Sequence, residues 1–254
     1  MVINMIIEQE SIDRESFYTE LEDIFGKNGL ADCLDDEVKE RFFALTGIML
    51  LHNSKMNLTA LTKSNEIILK HYADSITAAK YMPKTARVID VGCGAGFPAL
   101  PLAIVRGDIE ISALDSTAKR IEYVKNTARE LKLKNIDTLC ARAEGAAHDI
   151  RFRESFDVAC ARAVARMETL CEYCLPYVKV GGKFIAMKAK PDEAELEGAK
   201  RAAGRLGGSI EKTERFTITD GGEVFDRTII VIKKLSPTPK TFPRNNAQIS
   251  KKPL

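Results

Sequence analysis

The stretch VIDVGCGAGFPALPLAIV, Val88–Val105, decides the fold of this chain. An apolar run that ends near Asp90 is followed by glycines at alternate positions, Gly92, Gly94 and Gly96, and then by a second apolar run. Glycine adopts positive φ and leaves no side chain between the backbone and a neighbour. The stretch therefore predicts a buried strand, a sharp turn and a helix, either as a ligand-binding loop or as a tight turn without a ligand.

The residues around this loop favour an adenosyl ligand over a dinucleotide. A dinucleotide loop would have a third glycine where Phe97 stands. Asp115 ends the next strand, 23 residues after Gly92, and is placed to accept hydrogen bonds from ribose hydroxyls. After the third strand, Ala143 and Glu144 stand where an adenine would lie. Three such features at successive strand ends predict S-adenosylmethionine binding.

The rest of the chain alternates strands with helices. From Arg87 onward the predicted strands are RVIDV, EISALDS, NIDTLCA, FDVACA, GGKFIAMK and TIIVIKK, with helices that begin near Ala99, Ala118, Met167 and Asp192. This pattern is typical of an α/β, Rossmann-like fold with a mostly parallel sheet. Apolar residues at helical spacing predict an N-terminal helical extension over residues 1–82, before an α/β domain over 83–234.

Residues 235–254 form a basic C-terminal tail. The last 22 residues, from Lys233 onward, hold six Lys and Arg and no acid, so they carry +6 and the remainder −4. Such a tail predicts a polyanionic partner, or else serves solubility. Its prolines predict an extended path over the surface, with TPKTFPR packed on the sheet through Phe242 as the alternative. If the glycine loop and Asp115 act independently of the tail, its removal should leave cofactor affinity nearly unchanged.

Composition limits the remaining classes of protein. The longest apolar runs fall short of the roughly 18 residues of a membrane helix, and the N-terminus turns acidic, which predicts a cytoplasmic protein without a membrane partner. The six cysteines are scattered, which predicts free thiols. Cys171 and Cys174 form one C-x-x-C pair inside a predicted helix, without the further ligands of a zinc site, so no metal is expected.

Several motifs together resemble one family. They are MNLTALT, HYADSI, DVGCGAGFPALPLA, LDSTAKR, RAE, ARAVA and TPKTFPR, which lie between Met56 and Leu254. With them the chain resembles the glucose-inhibited division protein B family, the bacterial small-subunit (16S) ribosomal RNA guanine-N7 methyltransferases. The resemblance implies methyl transfer from S-adenosylmethionine to N7 of one guanine. It also implies cofactor contacts at Gly92, Phe97, Ala143, Glu144 and Arg162, to which the arguments above add Gly94, Gly96 and Asp115.

The chemistry agrees with this expectation, because guanine N7 carries a free lone pair at neutral pH and needs no base. Alignment of the reactants then supplies most of the catalysis. We therefore assign no catalytic residue. The candidate contacts to the acceptor or the RNA are Lys188, Arg162, Asp74 and Ser75. A lysine at a strand end is also typical of a solvated side chain. His71 lies on an apolar helix face, which favours a hydrogen-bonded core histidine.

Two other functions stay open on the sequence alone. One is a methyltransferase for a small molecule, and the other is a ribosome-associated binding protein that keeps the fold without turnover. The expected partner is small-subunit ribosomal RNA or an assembling small subunit, and the expected oligomeric state is a monomer.

Overall fold

The structure, a computed structural model, describes residues 12–254, and residues 1–11 of the predicted helical extension lie outside the described residues. Its centre is a seven-stranded sheet. The strands, in chain order, are Arg87–Val91 (β1), Glu110–Asp115 (β2), Ile136–Cys140 (β3), Phe156–Arg162 (β4), Val178–Lys188 (β5), Gly208–Thr219 (β6) and Val224–Lys234 (β7). The first five are parallel to one another, and β7 runs antiparallel to both β5 and β6.

Helices cover both faces of the sheet. The α-helices are Arg14–Lys27 (α1), Asp36–Met56 (α2), Ser64–Ile67 (α3), Asp74–Ile76 (α4), Ala99–Val105 (α5), Ala118–Glu130 (α6), Ala143–Ala146 (α7), Met167–Cys174 (α8), Glu193–Arg205 (α9) and Asn246–Lys251 (α10). A π-helical stretch, Ile68–Ala73, joins α3 to α4. Short 3-10 turns lie at Ala31–Cys33, Ala79–Tyr81 and Leu175–Tyr177.

The alternation of side chains along the strands produces two separate cores. Val88 and Cys160 point to the face that packs against α1, α2, α5 and α6. Ile89 and Ala159, one residue away on the same strands, point to the face covered by α8 and α9. Because successive strand residues face opposite sides, near-continuous apolar strands are what a sheet covered on both faces needs.

The strand order is β3-β2-β1-β4-β5-β7-β6, so the order reverses between β1 and β4. In open α/β sheets, ligands bind in the crevice outside the carboxyl ends of the strands at this reversal. The loop after β1 and the loop after β4 therefore lie at the position where a site is expected.

The sequence predicted this fold class, and the mostly parallel sheet is confirmed. Helices α5, α6 and α8 begin at the predicted residues, and Asp192 is the N-cap of α9 because its side chain accepts from the Glu195 amide. Strand β6 was not predicted, since its sequence GSIEKTERFTIT is largely polar. As an edge strand it leaves much of its length exposed. Within residues 12–254, no helix is both long and apolar enough to cross a membrane.

Candidate active site

The glycine loop turns from β1 into α5 through three residues with positive φ: Gly92 at 79°, Gly94 at 57° and Gly96 at 89°. Two of these also need the absence of a side chain. A Cβ at Gly92 would lie 2.8 Å from a methyl of Val164, and one at Gly96 would overlap the side chain of Leu100. Gly92 and Gly96 therefore let the loop after β4 and the first turn of α5 pack closely on this turn.

Asp115 holds the same loop from the end of β2. Its Oδ2 accepts a hydrogen bond from the Gly94 amide at 3.1 Å, and its Oδ1 accepts one from the Thr117 amide at 2.8 Å. The side chain of Arg120 lies 3.8 Å from Oδ2. Each carboxylate oxygen can accept more than one hydrogen bond, so Asp115 can still accept from a ligand.

Asp90, at the end of β1, lies beneath the loop and is fully buried. Its Oδ2 accepts from the Ala99 amide at 3.1 Å, and its Oδ1 has no hydrogen-bond partner among the described residues. Burial raises the pKa of Asp90 to about 7, although the Ala99 hydrogen bond opposes the shift. The loop thus closes over a carboxyl group whose charged form is disfavoured by desolvation.

A cavity of about 320 Å³ opens at the carboxyl ends of β1, β2, β3 and β4. Four predicted cofactor residues line it, namely Gly92, Asp115, Ala143 and Glu144. The other walls are Val91, Leu114, Ser116, Thr117, Arg120, Ala141, Arg142, Ala163, Val164, Tyr173 and Asn246. Small apolar walls beside carboxylates at two strand ends suit a nucleoside, whose base needs a flat apolar slot and whose ribose supplies hydroxyl donors.

A second cavity, of about 400 Å³, lies on the other side of Ala163, which lines both. Its walls are Lys70, His71, Asp74, Arg162, Ala163, Met187, Lys188, Ala189 and Arg227. Five of these side chains are basic or carry an imidazole, against one acid. The two cavities therefore share one wall residue, and the second brings four cationic side chains together with one acid.

Asp74 organises the cationic side of the second cavity. Its Oδ2 accepts from Arg162 at 3.0 Å and its Oδ1 accepts from Arg227 at 2.8 Å. Arg162 also donates to the carbonyl of Lys70. Two arginines from different strands are thus held by one carboxylate that is itself only 7% exposed, and the three side chains together retain a net positive charge.

His71 is a neutral wall of this cavity. Its ring stacks on Phe97 with 4.3 Å between centroids and 9° between planes, and its Nε2 lies 2.8 Å from Thr59 Oγ1. Burial, assisted by the positive charge of Arg162, lowers the pKa of His71 to about 3. The hydrogen-bonded core histidine predicted from the sequence is present, and at neutral pH it carries no charge.

The chain is similar to known proteins over most of its length. The family described as rRNA small subunit methyltransferase G matches residues 39–219. A protein named "Ribosomal RNA small subunit methyltransferase G" from Clostridium perfringens (strain SM101 / Type A) is 42% identical over 87% of this chain and 92% of its own length. One of the same name from Acetivibrio thermocellus is 44% identical over 91% of this chain and 95% of its own. The chain belongs to this family.

The fold itself is similar to that of a solved structure. The structure of M. jannaschii TYW2 in complex with AdoMet is similar with a TM-score of 0.50 and 17% identity, over 64% of this chain and 77% of that one. The family resemblance and the methyltransferase activity, both predicted from the sequence, are confirmed.

Of the candidate site residues, Arg162 and Asp74 meet in the second cavity, whereas Gly94, Gly96 and Phe97 line neither cavity. The sequence allowed Arg162 to be a surface arginine paired with an acid. It is paired, but its side chain is only 13% exposed. Ser75 is fully buried and donates to the His71 carbonyl, so it does not face either cavity.

Lys188 is held by an ion pair and a hydrogen bond and is not a solvated side chain. Its Nζ lies 2.8 Å from Glu195 Oε1 and donates to the Ala165 carbonyl at 2.9 Å. The side chain is 16% exposed, so this lysine lines the second cavity with its charge already paired. The expectation of a solvated strand-end lysine was wrong because α9 brings the buried Glu195 to the end of β5.

Arg227, Tyr173 and Asn246 are among the lining residues that the sequence analysis did not single out. Arg227 belongs to β7, and the antiparallel return of that strand brings its beginning to the edge where the parallel strands end. Tyr173 and Asn246 line the first cavity from α8 and from the tail. The sequence could have indicated Arg227, because an arginine directly before TIIVIKK lies at the carboxyl edge of the sheet if β7 is antiparallel.

The tail does not take a purely extended path. Phe242 is 9% exposed, Ile249 is fully buried, and α10 interrupts the tail. Two of the six cations from Lys233 onward are paired inside the chain: Arg244 with Glu172 at 2.6 Å and Lys234 with Glu154 at 3.0 Å. The alternative in which TPKTFPR packs back on the protein is therefore the observed one, because Phe242 provides apolar surface to bury.

The cysteine pair lies in the core. Cys171 and Cys174 are fully buried in α8, and burial raises the pKa of both thiols. Across residues 12–254, no group of three or more His, Cys, Asp or Glu side chains is arranged to hold a metal ion.

Proposed function

We propose that this chain transfers the methyl group of S-adenosylmethionine to N7 of one guanine in small-subunit (16S) ribosomal RNA. The observation that carries the proposal is the pair of cavities that share Ala163. One lies against the glycine loop and Asp115, and the other is lined by Arg162 and Arg227. A donor site and an acceptor site that meet at one wall are what an in-line transfer requires.

The first cavity fits the cofactor. Asp115 would accept the ribose hydroxyls, and Ala143 and Glu144 would flank the adenine. Gly94, Gly96 and Phe97 would act through the shape of the loop, and Arg162 through the charge it brings near the amino acid end. When bound, S-adenosylmethionine supplies an electrophilic methyl group.

The second cavity fits a guanine whose N7 needs positioning and no proton transfer. The pKa of His71 is lowered to about 3, which makes its imidazole a weak base, and Asp74 is occupied by two arginines, so neither offers an effective general base. Arg162 and Arg227 are fixed donors of the kind that bind guanine O6 or a phosphate. Lys188, already paired with Glu195, would support the wall, and Ser75 would hold the helix behind it.

A route for the RNA continues from this cavity. Arg227 also lines a groove of about 510 Å³ with Lys190, Arg215 and Phe216 among its walls. Lys190 is 83% exposed on its side chain, and its surface pair with Asp226 at 3.5 Å leaves it accessible to a phosphate. Exposed cations beside an aromatic ring suit single-stranded RNA, whose phosphates attract the charges and whose bases stack on the ring.

The proposal also covers the form of the substrate, the location and oligomeric state of the protein, and its division into parts. The substrate would be small-subunit rRNA, either free or in an assembling particle, acted on by a cytoplasmic monomer without a membrane partner. We propose that the chain divides into a helical extension (1–82), a cofactor-binding domain (83–234) and a tail (235–254).

The test is a methylation assay with tritium-labelled S-adenosylmethionine on small-subunit particles from cells that lack the gene. Deproteinised small-subunit rRNA, large-subunit rRNA and free guanine nucleotides are assayed in parallel. We expect label in small-subunit RNA alone, and reductive cleavage at N7-methylguanine should give a single site. Label in a free nucleotide, or at a base other than guanine, would contradict the proposal.

A further inference from the structure

The C-terminal tail contributes a wall to the cavity that lies against the glycine loop. Asn246, the first residue of α10, lines this cavity together with Asp115, Ala143 and Glu144. On the sequence alone the tail could be independent of the cofactor site, and this position links the two.

The tail is fixed at this place by specific contacts. The guanidinium of Arg244 makes hydrogen bonds to both carboxylate oxygens of the fully buried Glu172, and the Arg244 amide donates to the same carboxylate at 2.8 Å. Ile249, on α10, is fully buried. A buried, charge-assisted contact of several hydrogen bonds restrains the backbone two residues before Asn246.

The side chain of Asn246 is oriented by Tyr173. The Tyr173 hydroxyl donates to Asn246 Oδ1 at 2.6 Å, and both residues line the cavity. Burial and the negative charge of Glu144 raise the pKa of Tyr173, so its hydroxyl keeps the proton that it donates. Because the amide oxygen is engaged, the Asn246 amino group, with its two donors, is available.

We propose that Asn246 donates a hydrogen bond to the adenosine part of S-adenosylmethionine and that Tyr173 is the residue that positions it. The inference rests on the proposed function, which assigns the cofactor to this cavity. The adenosine end is favoured because Ala143 and Glu144, the residues assigned to the adenine, border the same space. Adenine ring nitrogens are acceptors, which suits an amide donor.

The experiment measures the affinity of the full-length protein for S-adenosylmethionine by calorimetry, in wild type and in Asn246→Ala, Tyr173→Phe and the double variant. Asn246→Asp is included because it keeps an acceptor for Tyr173 and removes the donor group. Gln248→Ala, an exposed change on the same helix, is the matched control. Melting temperatures report whether α10 stays docked.

We expect Asn246→Ala and Asn246→Asp to weaken binding about 2- to 10-fold, the range of one hydrogen bond. Tyr173→Phe should weaken it less, and the double variant should match Asn246→Ala, because Tyr173 acts through Asn246. Gln248→Ala should bind like wild type.

The same loss should appear with 5′-methylthioadenosine, which keeps the adenosine and lacks the amino acid end. Wild-type affinity in both Asn246 variants would overturn the inference and leave the proposed function intact. A loss seen with S-adenosylmethionine but not with 5′-methylthioadenosine would also overturn it. Failure of the wild type to bind S-adenosylmethionine would overturn the proposed function, and this inference with it.

Discussion

The carboxylate of Asp115 accepts a hydrogen bond from the backbone amide of Gly94, with 3.1 Å between oxygen and nitrogen. The end of β2 therefore fixes the loop that follows β1, and the two predicted cofactor elements form one unit. Changes at either residue should act on the same binding step.

Asp115→Ala should lower the affinity for S-adenosylmethionine by about 1 to 3 kcal/mol, because charge-assisted hydrogen bonds are lost and the loop loses a restraint. Calorimetry on folded protein measures this change. Asp137→Ala, an exposed aspartate on β3, is the control and should bind normally. Normal affinity in Asp115→Ala would remove this residue from the site.

Gly94→Val should abolish measurable cofactor binding, because a β-branched residue strongly disfavours the positive φ of 57° that the loop requires. Gly29→Val is a matched control, since Gly29 has a φ of 68° and open space around it, far from the loop in sequence. Both variants should lose a similar amount of stability. Equal loss of cofactor binding in both would mean that global strain, and not the loop, is responsible.

Asp74→Asn should impair methyl transfer to RNA more than it weakens cofactor binding. The variant removes the charge that holds Arg162 and Arg227, and leaving these buried partners underpaired should cost about 1 to 3 kcal/mol of unfolding free energy. Steady-state kinetics with RNA and calorimetry with cofactor separate the effects. Asp23→Asn, which removes an exposed pair with Lys27, should change neither. A loss confined to cofactor affinity would contradict the assignment of the second cavity to the acceptor.

His71 should make stability depend on pH in a defined direction. Its pKa is lowered to about 3 in the folded protein, so below its usual value of about 6.5 the unfolded chain binds a proton that the folded chain does not. Stability should therefore be lost as pH falls, by roughly 1 kcal/mol per pH unit between about pH 6 and 4. The comparison of wild type with His71→Gln in urea unfolding isolates this effect. A difference that does not change with pH would show that His71 keeps its usual pKa.

Removal of Thr238–Leu254 should lower the melting temperature as well as RNA affinity, because Phe242 and Ile249 are buried. The triple variant Lys240→Gln, Lys251→Gln and Lys252→Gln leaves the docking contacts in place and removes exposed charges only. If all three lysines touch phosphates in the wild type, the slope of log RNA affinity against log salt concentration should be less steep by about 2 in the variant. An unchanged slope in the triple variant would leave these lysines without a role in RNA binding.

The sequence revealed those site residues that follow the regular βαβ pattern. Asp115 and Glu144 follow successive parallel strands, whose carboxyl ends meet at one edge, so their positions could be predicted. Arg227 could not be placed without the antiparallel return of β7. Asn246 depends on the docking of Arg244 on Glu172, a contact 72 residues apart in the chain that no local pattern encodes.

Mapping N7-methylguanine in small-subunit rRNA from cells with and without the gene tests the central claim most directly. We predict one guanine that is methylated only when the gene is present, restored by the wild-type gene and by the Asp137→Ala variant, and not by Gly94→Val. Identical N7-methylguanine patterns in both strains would contradict the proposed function.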